Sequence, residues 1–242
     1  MKNTFIYLLL IALIISCASN IETTKTTSKI IEYPQWFIYP DNTITGYAPV
    51  YFTAASSAKE ATKNAIENYQ KLNHCVVMGI QTYIQSPHGL DLVYDSLFIH
   101  VEEAPDDEEF LEKKFAHADT FATDNMVIVA HSHKTISGSA PITFADRAEW
   151  IETPPEDKDF YYAIGSCSKI FSEHKAWEEA ENNAIMNLAR KITLANAVEV
   201  LIEEDKLMSK FNEEVNIVLK NIQIIERWKD PQTNSYYVLI RM

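Results

Sequence analysis

The sequence predicts an α+β protein: two tandem β-α-β-α-β-β modules, each a small, mainly antiparallel sheet packed against a long helix. Three observations carry this. Two Ala-patterned amphipathic stretches, Ala58 to Leu72 and Ala176 to Ala189, repeat apolar residues near 3.6 spacing. Each is followed by a terminal pair of period-two stretches joined by turn residues, Phe115–Lys134 and Ile222–Ile240. The two halves also repeat the order and length of their elements, as a duplication does.

Ahead of the modules lies MKNTFIYLLLIALIISC. Lys2 is followed by an apolar run from Phe5 to Ser16 that is too short for a spanning helix, which takes about 20 residues. It has the length and flanks of a secretory signal. Its ending, Ile14-Ile15-Ser16-Cys17, resembles the bacterial lipobox, which implies cleavage before Cys17 and lipidation of that cysteine. Residues 1–16 are then a signal peptide. Residues 17–31, rich in Thr, Ser and Lys, read as a flexible tether. Ser19 is not the Asp that resembles an inner-membrane retention signal, which points to a lipid-anchored place in the cell envelope, at the outer membrane.

The net charge of −13 excludes nucleic acid as a partner, because such binding rests on Lys and Arg neutralising phosphates. It also leaves membrane contact to the lipid rather than the protein surface. Of three cysteines, Cys75 and Cys167 remain for the body and read as free thiols.

The first module spans residues 32–136. Tyr33 to Pro40 is extended and Pro-punctuated, and Thr45 to Thr53 reads as a strand. Ser57 and Glu60 fit a capping box opening the first helix. Val76 to Gln85 is a strand ended by the turn Ser86-Pro87-His88-Gly89. Leu92 to Val101 has helical spacing, and the hairpin about Thr123-Asp124-Asn125 closes the module. Residues 137–145 read as a linker.

The second module spans residues 146–242. Trp150 and Pro154 repeat Trp36 and Pro40, and Tyr162-Ala163 repeats Tyr47-Ala48. Ser172, Ala176 and Ala180 repeat Ser57, Ala61 and Ala65 at an offset of 115. A β-rich run around Ile192 to Ile202, a helical segment from Leu207 to Leu219 and the terminal hairpin follow.

Trp150, Pro154-Pro155, Tyr161-Tyr162-Ala163-Ile164-Gly165-Ser166, the helix Ala176–Ala189 and the closing Arg227-Trp228-Lys229-Asp230 with Tyr236-Tyr237-Val238-Leu239 resemble the LPP-twenty lipoprotein family. That family is similar to the N-terminal domain of the flagellar T-ring protein. The first half resembles it more weakly, with Val50 where the second half has Gly165. The resemblance implies a small sheet covered by a long helix, an outer-membrane-associated role in envelope assembly, and no catalytic residues. Only the lipidated Cys17 carries over.

No hydrolase, metalloprotease, Walker or dinucleotide motif is present, and five glycines leave little for phosphate loops. The reading is therefore a non-enzymatic envelope protein without a cofactor, binding other envelope proteins or itself. One alternative is a Zn²⁺ or Cu²⁺ site of His117, Asp119, His131 and His133. A three-residue hairpin loop puts these on one face; a two-residue loop slips the register and separates them. A solvated hairpin end is the plainer reading. The acidic run Glu102–Glu109 lacks the spacing of a calcium loop and reads as solvated. A third alternative is a small-ligand site between the two modules. The paired Trp36 and Trp150 read as plugs at the ends of the cores.

Overall fold

The computed structural model describes residues 32–41, 43–86, 89–101, 115–136, 140–144, 146–168, 172–204 and 210–242. Cys17 and the acidic run lie outside them, as do the segments before 32. The α+β class holds: small antiparallel sheets lie against helices.

The first half contains β1 (Glu32–Pro34), the one-turn helix α1 (Gln35–Ile38), β2 (Ile44–Pro49) and α2 (Ala54–Asn73). β3 (His74–Ser86), β4 (Gly89–His100), β5 (Ala116–Ala122) and β6 (Met126–Ser132) follow. The second half has β7 (Pro141–Thr143), a 3₁₀ turn at Glu149–Ile151, β8 (Tyr162–Ser168) and α3 (Glu173–Glu204). It ends with β9 (Lys210–Lys220), β10 (Gln223–Lys229) and β11 (Ser235–Arg241).

Three expectations are corrected. Leu92–Val101 is almost wholly the strand β4, because the segment pairs antiparallel with β3 from Val76↔His100 to Ser86↔Gly89. Leu207–Leu219 is largely the strand β9, paired along the other edge of β3. Ile192–Ile202 is the continuation of α3. The second helix expected in each half is therefore absent from the described residues. Within 137–145, Pro141–Thr143 is a strand that pairs with β1.

α2 also begins earlier than the capping box implied. Thr53 is its N-cap, accepting from the Ser56 amide, while Ser57 is buried one turn inside and its hydroxyl takes the Tyr51 amide. A cap needs non-helical backbone, and Thr53 has it at φ −125°, ψ 141°.

Two sheets share one plan, in the orders β2-β6-β5 and β8-β11-β10. In each, a glycine lets the helix touch the outer strand. A Cβ on Gly46 would collide with the Ala61 carbonyl and stand 2.7 Å from Ala65 Cα. A Cβ on Gly165 would collide with the Ala180 carbonyl and stand 2.7 Å from Ala184 Cα. The matching contacts are 119 residues apart, so the partner of Gly165 is Gly46 and not Val50, and the offset of 115 is one helical turn short. Close approach of the helix backbone is what Gly165 serves.

The same helices clamp the exposed edge of each sheet. Asn64 and Asn68 donate to the carbonyls of Tyr47 and Thr45; Asn183 and Asn187 donate to those of Ser166 and Ile164. Two strand residues span about 6.6 Å and four helical residues about 6.0 Å, so an Asn-x₃-Asn ladder matches alternate strand carbonyls. Edge groups that would invite another chain are thereby occupied.

The third sheet, β4-β3-β9, joins the halves, since β3 pairs with a strand from each. Its buried face carries Cys75, Val77, Gln81 and Tyr83. Gln81 bonds Tyr83 and Asp95, and Asp95 bonds Arg190 of α3. The main core likewise draws on both halves: Phe37, Tyr47 and Ile128 share it with Trp177, Leu188 and Tyr236.

Candidate functional site

The four residues proposed as metal ligands sit on the β5–β6 hairpin. Its loop is Asp124-Asn125, closed by the Thr123 amide on the Met126 carbonyl at 2.8 Å, with the Thr123 hydroxyl accepting from the Asn125 and Met126 amides. A two-residue loop alone would separate the histidines. A β-bulge at Ala118 restores the register, pairing His117 with His131 and Asp119 with Ala130. The two imidazoles meet edge to face, with ring centroids 5.6 Å apart.

The other two ligands are engaged elsewhere. Asp119 Oδ2 accepts the Trp36 indole N–H at 3.0 Å, and its Oδ1 accepts the Thr120 amide. His133 stacks on Phe115 at 4.1 Å. His117 bonds the Thr120 hydroxyl through Nε2. His131 is 3% exposed, and neither ring nitrogen has a hydrogen-bond partner among the described residues. Burial, reinforced by His117, pushes its pKa down to about 4, so the ring is neutral at ordinary pH. No group of three or more His, Cys, Asp or Glu suited to a metal occurs among the described residues.

At the equivalent positions the β10–β11 hairpin carries Ile224, Glu226, Ile240 and Met242. Ile224 faces Ile240 across an identical bulge, between Ile224 and Glu226. Trp150 is buried like Trp36, but its indole N–H has no hydrogen-bond partner among the described residues. Burial raises the Glu226 pKa, opposed by the Trp150 indole and the Tyr39 hydroxyl.

Sequence reasoning missed the charges in the core. Arg227 of β10 is fully buried and pairs with Glu181 of α3 at 2.8 Å. It also donates to the Phe37 carbonyl at 2.6 Å and the Thr45 hydroxyl at 3.0 Å. Lys229 pairs with Glu173 at 3.0 Å, and the Tyr33 hydroxyl donates to the same carboxylate. Lys229 lies 5.0 Å from the Tyr236 ring centroid, so its charge is also held by an aromatic face. Burial first, and then Glu173, raises the Tyr33 pKa well above its usual value. The spacing Arg227-x-Lys229 on a strand was the available signal, since period two puts both on one face.

Cys75 is buried and Cys167 part-exposed, and both are free thiols. Burial raises the Cys75 pKa to about 11, which makes it a poor nucleophile. No helix of the described residues is long and apolar enough to cross a membrane.

Two further surfaces bear on binding. A cleft of about 830 Å³ opens between the halves, walled by the ends of β2 and α2 on one side and by the β9–β10 turn on the other. The outer face of the β4-β3-β9 sheet exposes Ile80, Tyr94, Phe98 and Val218, each about half accessible. Comparison of the chain with protein-family models, curated proteins and solved structures finds no match.

Proposed function

We propose that this chain is a lipid-anchored protein of the cell envelope, held at the outer membrane through Cys17 and acting by contact with other envelope components rather than by catalysis. One observation carries the reading: the apolar run Phe5–Ser16 behind Lys2, ending in Ile14-Ile15-Ser16-Cys17. Two acyl chains on such a cysteine anchor durably where a single chain does not.

The body behind the tether is two divergent copies of one unit, a strand, a helix and a terminal hairpin, fused through a shared sheet. The repeated Gly–Ala contacts, the repeated Asn ladders and the repeated bulges support a duplication. The half-exposed apolar side chains on the third sheet are where a protein partner or a second copy would dock, since contiguous apolar surface on a soluble body marks interaction sites. The resemblance to the LPP-twenty family points to the same kind of role.

The test is metabolic labelling with a clickable fatty acid, followed by crosslinking of envelopes and recovery of the protein. Wild type should carry label and recover a defined partner; Cys17→Ala should lose both. An unlabelled wild type overturns the anchor. A labelled wild type that recovers nothing above background overturns the contact role.

A further inference from the structure

The cleft between the halves combines two properties. One is a wall of contacting rings. Tyr69 lies 5.5 Å from Phe115, and Phe115 lies 4.1 Å from His133, centroid to centroid. Tyr39, 44% exposed, stands at the rim. Aromatic faces are electron-rich, and the C–H face of a sugar ring is the complementary, weakly positive surface.

The other property is charge. The chain carries −13, yet the described lining of this cleft holds Arg227, Arg241 and Lys134 with Asp41 as its carboxylate. Arg227 is taken up by Glu181, and Arg241 gives Nε to Gln223 while lying over Phe160. Lys134 is exposed, and its ammonium has no partner among the described residues. It follows His133 directly and lines the same cleft, so a cation without a partner among the described residues shares the cleft with the rings. The amides of Asn73 and Asn221 line the same space and offer both donors and acceptors to hydroxyl groups. The volume, about 830 Å³, falls in the range of small-molecule sites, about 300–1,000 Å³.

We propose that this cleft binds an acidic sugar, its ring stacked on the Phe115–His133 wall and its carboxylate beside Lys134. The site stands independently of the lipid anchor, because it is built only from the folded body.

The test uses purified full-length protein in detergent micelles and saturation-transfer NMR with two probes, glucuronic acid and glucose. They share one ring and differ only in a carboxylate against a hydroxymethyl group. Glucuronic acid should bind in the millimolar range, and glucose about fivefold more weakly or less well still. Lys134→Ala should bring glucuronic acid to the level of glucose, and Phe115→Ala should weaken both by about tenfold. Tyr39→Ala, at the exposed rim, should weaken both as well and guards against a misfolded Phe115 variant. No transfer to glucuronic acid at about 20 mM overturns the site. Equal binding of the two probes, or binding untouched by Lys134→Ala, overturns its acidic specificity.

Discussion

Arg227 and Glu181 form an ion pair with both side chains out of water, Nη2 at 2.8 Å and Nε at 3.0 Å from one carboxylate oxygen. The arginine gives two further N–H groups to Phe37 and Thr45, in the other half of the chain, and lies 4.4 Å over the Phe37 ring. One strand residue thus ties α3 of the second half to α1 and β2 of the first.

Removing one partner leaves a buried charge with nothing to answer it, which costs about 3–5 kcal/mol. Arg227→Met and Glu181→Leu should each lower the unfolding free energy, read from urea denaturation, by that much. The double variant should recover most of the loss, because neither desolvated charge remains. A double variant as unstable as the singles would mean that the bonds to Phe37 and Thr45, not the ion pair, carry the effect.

Gly46→Ala and Gly165→Ala should be destabilising to a similar degree, about 2–4 kcal/mol each, since the added methyl meets helix backbone at both sites. Backbone cannot step aside as a flexible side chain does. Equilibrium unfolding of the two variants checks this, and a neutral result at either site would show that its helix and strand can separate.

His131 makes stability fall in acid. The native state keeps the ring neutral down to about pH 4, whereas the unfolded chain takes up a proton near pH 6.5. Between those values the unfolded state binds more protons, so the contribution is complete above about pH 6.5 and is lost as the pH drops toward 4. Wild type should lose about 2 kcal/mol more than His131→Leu between pH 7.5 and 4.5. Parallel curves for the two proteins would rule this group out.

Phe98→Ser should change stability by less than about 0.5 kcal/mol, because the ring is 55% exposed on the outer sheet face. The same change should reduce recovery of envelope partners in the crosslinking experiment. A large loss of stability would mean that Phe98 supports the fold instead of a partner.

The elements easiest to read from the sequence were those whose period and burial agree. α2 shows an Ala stripe, and both hairpins alternate about strong turn residues. The errors fall where tertiary pairing decided the outcome. Leu92–Val101 has apolar residues at spacings compatible with a helix, but β3 offers a long free edge and the segment pairs with it. Ile192–Ile202 is rich in β-branched residues, yet it continues a helix already nucleated from Glu173. The facing histidines were legible only on the condition of a three-residue loop; the loop has two residues, and the pairing depends instead on a bulge at Ala118 that no side chain announces. The buried pair Arg227–Glu181 was equally hidden, since partners 46 residues apart in sequence leave no local pattern.

β3 sits between a neighbour that follows it at once and one that arrives much later: His74 pairs with Lys220, 146 residues downstream. A chain emerging N-terminus first can close the β3–β4 hairpin early, yet it holds the opposite edge of β3 open until almost all of the protein has been made. Pairings of such long range form slowly, and an unpaired edge is sticky while it waits. The C-terminal strands therefore complete the first half as well as the second, and a chain shortened by its last thirty or so residues would be born with an exposed, aggregation-prone strand at its centre.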